Sequence, residues 1–137
     1  MSHEVFEHTA DLGVRVRAPD RAALYAESGQ ALFEILVDDL GAVRPATALE
    51  VAVAGDDAAY LLHDWLGELL YLFTARNLLL CAFDVRLAHS GLTGTVRGEV
   101  LDRTRHRLAH EVKAITYHGL EVRQDPGGWS AEFVVDI

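Results

Sequence analysis

Val14, Val16 and Ala18 alternate with Arg15 and Arg17, a period-two pattern that predicts a half-buried strand stopping at Pro19. Val5 and Phe6 predict a shorter strand before it. Asp20 follows the proline as an N-cap candidate for a helix through about Val37, whose apolar stripe is Leu24, Ala31, Leu32, Ile35 and Leu36. Ser28 and Gly29 in its middle lower helix propensity but allow close approach to a sheet. Beyond Gly41 and Pro45, Leu49 to Val53 alternates as another strand, and Gly55-Asp56-Asp57 ends it with a cap for the next helix. From Ala58 to Thr74, Leu62, Leu66, Leu69 and Phe73 recur at helical spacing beside Leu61, Trp65 and Leu72, so a wide apolar face must pack on something.

Past this helix the period returns to two. Cys81, Phe83, Val85 and Leu87 alternate with polar or small residues, His89-Ser90-Gly91 turns the chain, and Gly94, Val96, Gly98 and Val100 alternate back, which predicts a β-hairpin. Two further strands are expected around Glu111 to Val122 and Trp129 to Ile137, joined by the turn signal Gln124-Asp125-Pro126-Gly127-Gly128. The expected fold is α+β: one domain over residues 1–137, with two helices packed on one face of a mainly antiparallel sheet.

Composition narrows the class. A chain of 137 residues, 50% hydrophobic, is the size of one domain and can bury a core without disulfides or a structural metal. Cys81 is the single cysteine, so an intrachain disulfide and a thiolate zinc site are both excluded, and a buried thiol in a reducing compartment is expected. No basic-then-apolar leader and no bilayer-length apolar stretch occur, which predicts a cytoplasmic protein with no membrane partner. The formal charge of −9, from 21 acidic against 12 basic residues, repels a phosphate backbone at long range and suits a basic protein partner. No direct high-affinity nucleic-acid binding is expected. The local exception, Asp102-Arg103-Thr104-Arg105-His106-Arg107, reads as a solvated hairpin tip or as a contact for RNA or an acidic partner.

The candidate chemistry is carboxylate chemistry. Ser2, Ser28, Ser90 and Ser130 lack a nucleophile-elbow context, and no glycine loop followed by Lys-Ser/Thr is present to cradle phosphate. Glu7-His8-Thr9-Ala10-Asp11-Leu12-Gly13 places an imidazole and a carboxylate in a short loop before a strand. At the other end, Asp136 and the carboxylate of Ile137 offer two anionic groups one residue apart, and a fold that joined the two segments would add Asp11 and build a hard-cation site. Asp11 as a turn residue and Asp136 as a solvent-facing strand residue are the structural alternatives. Glu111 to His118 carries polar groups on both faces, and Lys113 either meets a carboxylate or decorates an edge strand. Asp64 and Glu68, one helical turn apart beside Tyr60 and Tyr71, could hold a metal or form a solvated face.

His8-Thr9-Ala10-Asp11-Leu12-Gly13, Trp65-Leu66-Gly67-Glu68-Leu69-Leu70-Tyr71-Leu72-Phe73, Glu111-Val112-Lys113-Ala114-Ile115-Thr116-Tyr117-His118 and the closing Asp136-Ile137, in that order, resemble the archease family over essentially the whole chain. The resemblance implies an accessory protein, not itself an enzyme, for the GTP-dependent RtcB-type RNA ligase that joins 3′-phosphate RNA ends in tRNA splicing and RNA repair. It implies promotion of ligase guanylylation and multiple turnover. It also implies metal-site carboxylates at Asp11 and Asp136 with Ile137 as a further ligand, for a divalent cation expected to be calcium first and magnesium as the alternative; the residues themselves add His8, Lys113, Glu68 and His118 as supporting candidates. Gly67 departs from the larger or polar residue expected inside the helix motif. Two other readings are a stand-alone metal-dependent phosphate hydrolase and a chaperone-like modulator of a tRNA-modifying enzyme.

Overall fold

In the computed structural model the alternating segments pair as their patterns require. The structure describes residues 1–8 and 11–137, with Glu7 and His8 through their main chain alone. The elements run β1 (Ser2–His8), β2 (Asp11–Ala18), α1 (Arg21–Leu36), β3 (Thr47–Ala54), α2 (Ala58–Arg76), β4 (Leu78–Ala88), β5 (Gly91–Val100), β6 (Ala114–Ile115), β7 (Glu121–Asp125) and β8 (Gly128–Asp136). The α+β class, the antiparallel pairing and the two helices are those expected from the sequence. The strands are shared between two sheets: one ordered β1-β2-β8-β6 with β7 also on β8, the other ordered β3-β5-β4.

Both helix starts follow the capping chemistry in the sequence. The Asp20 carboxylate accepts the Ala23 N–H at 2.8 Å, and Asp57 accepts those of Ala59 and Tyr60 at 3.0 Å each. Asn77 ends α2 in the left-handed region at φ 54°, a conformation asparagine tolerates. Each helix touches both sheets, α1 through β1, β2, β8 and β4, and α2 through β3, β4, β6 and β7. A single stripe cannot serve two contacts, so α1 buries Tyr25, Ser28, Gly29 and Phe33 as well as its expected leucines. Gly29 does what its position suggests: a Cβ there would stand 2.9 Å from Phe83 of β4 and 3.0 Å from Leu69 of α2. Trp65 is fully buried, donates to the Tyr25 carbonyl at 2.9 Å and lies against Gly94 of β5, where a Cβ would come within 2.4 Å of its ring. Burial pushes the Tyr25 hydroxyl up to about 12, and it donates to the Ala58 carbonyl at 2.8 Å.

Three expectations change. The strand expected over Glu111–Val122 survives only as the two residues of β6 and the start of β7, because the chain turns between them at Gly119, whose φ of 66° suits glycine. The arginine cluster is not a hairpin tip. Residues 101–107 fold back so that Arg105 reaches Glu99 at 2.5 Å and His106, 6% exposed, reaches the same carboxylate at 3.0 Å. His106 Nδ1 accepts the Asp102 N–H at 2.9 Å, so its proton sits on Nε2 toward Glu99. Cys81 is half-buried rather than buried, at the irregularity between Leu80 and Ala82 where β4 changes register against β5. Burial still pushes its thiol up, as expected for an unreactive cysteine.

A polar contact ties β1 down. His3 meets Glu27, which is buried on α1, through Nδ1, and Glu34 through Nε2 at 2.5 Å. Burial opposes charge on this imidazole, but the two carboxylates outweigh it and its pKa is raised.

Candidate functional site: a cross-strand carboxylate pair

Antiparallel register decides where the two ends of the chain meet. β2 pairs with β8 so that Asp11 lies opposite Asp136, Gly13 opposite Val134 and Arg15 opposite Glu132. His8 stands opposite Asp11 on the far side, and Ala114 of β6 opposite Asp136, so residues 8, 11, 136 and 114 form one row across four strands. Side chains opposite each other in such a pair have Cβ atoms about 4.5–5.5 Å apart. Asp11 and Asp136 therefore share one face of the sheet at its end, and both are half-buried. The Lys113 N–H donates to the Asp136 carbonyl at 2.7 Å, which holds the main chain entering β6 against the end of β8.

The inner face of β8 is the one read from its alternation. Ala131, Phe133 and Val135 are buried in the core, while Ser130, Glu132 and Asp136 face outward. Val134 is on the outer side yet 1% exposed, because residues 116–120 cover it: the Thr116 N–H donates to the Val134 carbonyl at 3.0 Å and Gly119 lies over its side chain. One row further along, the Phe6 ring lies on Gly13, with its Cζ 2.2 Å from where a Cβ would be. The glycine of the Asp-Leu-Gly motif is thus the place where Phe6 lies flat on the sheet beside the acidic pair.

Two like charges directly opposite one another destabilise a sheet unless something neutralises them. The nearest arginine in the register is engaged elsewhere: Arg15 reaches Glu4 at 3.3 Å and Glu132 at 3.2 Å, with its guanidinium 4.2 Å above the Phe6 ring. Among the described residues, no side-chain ion pair involves Asp11, Asp136 or Lys113, and Lys113 is exposed.

The supporting residues scatter. The side chain of His8, with Thr9 and Ala10, lies outside the described residues. Ile137 follows Asp136 directly and is half-buried against the core. Glu68 borders a groove between α2 and Ala52–Ala54 of β3, in the other sheet. His118 is exposed in the turn after β6, where its N–H donates to Thr116 Oγ1 at 3.2 Å. No group of three or more His, Cys, Asp or Glu side chains in metal-binding arrangement occurs among the described residues.

His63 was not singled out by sequence. It faces out of α2 next to Asp64, with Nε2 3.0 Å from the Ile115 carbonyl of β6 and Nδ1 3.2 Å from Asp64. Its ring stacks on Tyr117, centroids 3.9 Å apart and planes 13° from parallel. These contacts pin β6, the strand beside Asp136, to α2. Helical periodicity could not show this, since the partner lies 52 residues away in the chain.

Two antiparallel sheets holding two helices between their strands, with a facing carboxylate pair at a sheet end, define a small α+β class; among the described residues no helix is long and apolar enough to cross a bilayer. The sequence model of the Archease protein family (MTH1598/TM1083) matches residues 3–137, and the chain belongs to that family. It is 40% identical to protein archease of Methanopyrus kandleri over 141 aligned positions, covering all of both chains. To that of Pyrococcus furiosus it is 34% identical, over 98% of this chain and 97% of the relative. The solution structure of Methanobacterium thermoautotrophicum protein 1598 superposes with a TM-score of 0.86 at 30% identity, covering 98% of each chain. A Thermotoga maritima protein described as "an archease, possible chaperone" shares the fold at a TM-score of 0.66 and 20% identity, over 96% of this chain and 94% of that one.

Proposed function

We propose that this protein is an accessory activator of an RtcB-type, GTP-dependent RNA ligase, acting through a cation-bearing carboxylate pair. It promotes ligase guanylylation and multiple turnover in the joining of 3′-phosphate RNA ends, and is not itself the ligase. The observation that carries the reading is the register of Asp11 opposite Asp136 with no side-chain countercharge on either among the described residues. That pair is costly in the isolated chain and is relieved by a hard cation, since both donors are carboxylates and no cysteine is near.

The donor set fits calcium or magnesium, and it is incomplete. Asp11, Asp136 and a main-chain oxygen of Ile137 would hold the ion, while hard cations take at least six oxygen ligands. Phosphate oxygens of a nucleotide in a partner's cleft are of the same ligand class, so an unfinished oxygen shell at a sheet end suits action in trans. When bound there, the ion would supply positive charge next to a reacting phosphate. The chain's own residues position it: the β2–β8 ladder sets the carboxylates, Phe6 lies beside them, and Lys113 anchors the β6 segment through its N–H.

The test is single-turnover guanylylation of the ligase with and without this protein, using Asp11→Ala, Asp136→Ala and, on the same strand face, Glu132→Ala. The two aspartate variants are expected to lose stimulation and to melt no lower than the parent in chelator, because removing one of two opposed carboxylates relieves repulsion; Glu132→Ala retains stimulation. Added calcium or magnesium should raise the parent's melting temperature and leave the aspartate variants unmoved. Full stimulation by a folded Asp136→Ala protein would sink the proposal and favour a role that needs only an interaction surface.

A further inference from the structure

α2 and the turn after β6 enclose a surface groove of about 760 Å³ lined by Asp57, Ala59, Tyr60, Asp64, Tyr117 and Leu120. Its two tyrosines are among the most exposed large side chains described, Tyr60 at 58% and Tyr117 at 63%, and their rings meet edge to face at 5.9 Å and 77°. One face of Tyr117 is covered by His63, whose ring nitrogens are held at 3.0 Å by the Ile115 carbonyl and at 3.2 Å by Asp64. The ring is therefore backed by His63 on one face while 63% of the residue stays exposed. Asp64 is half exposed and uses one oxygen, Oδ1, toward His63. The positive end of the α2 dipole, which would repel a cation, is already answered by Asp57, whose Oδ1 accepts two N–H groups there. Among the described residues no lysine or arginine lines the groove, and the whole chain carries −9.

We infer that this groove is a docking site for an arginine side chain of a basic partner polypeptide, the guanidinium lying on the exposed Tyr117 ring away from His63, with Tyr60 at its edge and Asp64 as its counter-ion. A flat, weakly hydrated cation matches a fixed aromatic face beside a carboxylate better than a compact ammonium does. A nucleic-acid base could also stack on the tyrosines, but its phosphate would meet Asp57 and Asp64, so charge selects the polypeptide. β6 lies between the groove and the carboxylate pair: its Ala114 stands opposite Asp136, and Tyr117 follows three residues on. An arginine held here would set a partner's surface next to that pair. The inference rests on the accessory-factor reading only for which protein supplies the arginine.

The probe is a blocked Gly/Ser hexapeptide carrying one arginine, titrated into the isotope-labelled full chain and followed by NMR, beside the lysine and citrulline versions and a short single-stranded oligonucleotide. The arginine peptide is expected to shift Tyr60, Asp64 and Tyr117 resonances saturably, to bind about two- to fivefold tighter than the lysine peptide, and to weaken with salt. The citrulline peptide and the oligonucleotide should leave these resonances unmoved. Asp64→Asn and Tyr117→Leu, the latter keeping apolar cover over His63, are each expected to weaken the arginine peptide by a similar factor, while Asp136→Ala binds it as the parent does. Equal response to citrulline, a response to the oligonucleotide at the same residues, or undiminished binding by Tyr117→Leu would overturn the inference. The Asp136→Ala arm separates the two proposals: peptide binding that persists without ligase stimulation supports the groove independently of the pair.

Discussion

Two glycines in helices show what single residues contribute, and they predict opposite outcomes. Gly29 in α1 is wedged against Phe83 and Leu69, with contacts of 2.9–3.0 Å to any added Cβ, whereas at Gly67 in α2 a Cβ would meet nothing within 4 Å. Gly29→Ala is expected to lose about 1–3 kcal/mol by overpacking despite its better helix propensity. Gly67→Ala should gain about 0.5–1 kcal/mol, because only the propensity difference remains. Urea unfolding of both variants checks this, and a destabilised Gly67→Ala would show that the helix surface there is not free.

Elements are held by polar contacts between segments distant in sequence, and one of them makes stability pH-dependent. Glu99 on β5 accepts the Arg44 N–H at 2.8 Å, the Arg105 guanidinium and His106, and these hold its carboxyl down to about 2 from an ordinary 4.5. A depressed carboxyl stabilises fully above its unfolded value and loses that contribution as pH falls toward its folded one. The 101–107 segment should therefore loosen between about pH 4.5 and pH 2, seen as faster amide exchange or proteolysis there. Glu99→Gln should remove the acid dependence from that window and leave the segment looser at neutral pH. Unchanged acid sensitivity in the variant would assign the effect to other carboxyls.

At the scale of the whole molecule, each helix bridges the two sheets, so neither sheet has a core of its own. Trp65 reports one half, against Gly94 of β5, and Trp129 the other, on β8 opposite Ala18. Denaturant unfolding followed by each tryptophan in turn, with the other changed to Phe, is expected to give coincident midpoints once each variant's stability is matched by global circular dichroism. Separate transitions would mean that the sheets fold as independent units.

The chain's own pattern determined the local structure. Period-two alternation marked β2, β3, β4, β5 and β8, helical spacing marked α2, and Asp20 and Asp57 marked the helix starts, because these signals act between residues a few positions apart. It also singled out Asp11 and Asp136 as candidates, on the strength of short motifs at opposite ends. Tertiary structure decided the rest. The division of strands between two sheets, the exit from β6 at Gly119, the burial of His106 and the stack of His63 on Tyr117 all depend on partners far away in sequence. The carboxylate pair itself is the same kind of fact. A one-residue slip of β8 against β2 would turn Asp136 to the core face, and it is the burial of Val14, Val16, Phe133 and Val135 on that face that fixes the register and leaves Asp11 facing Asp136.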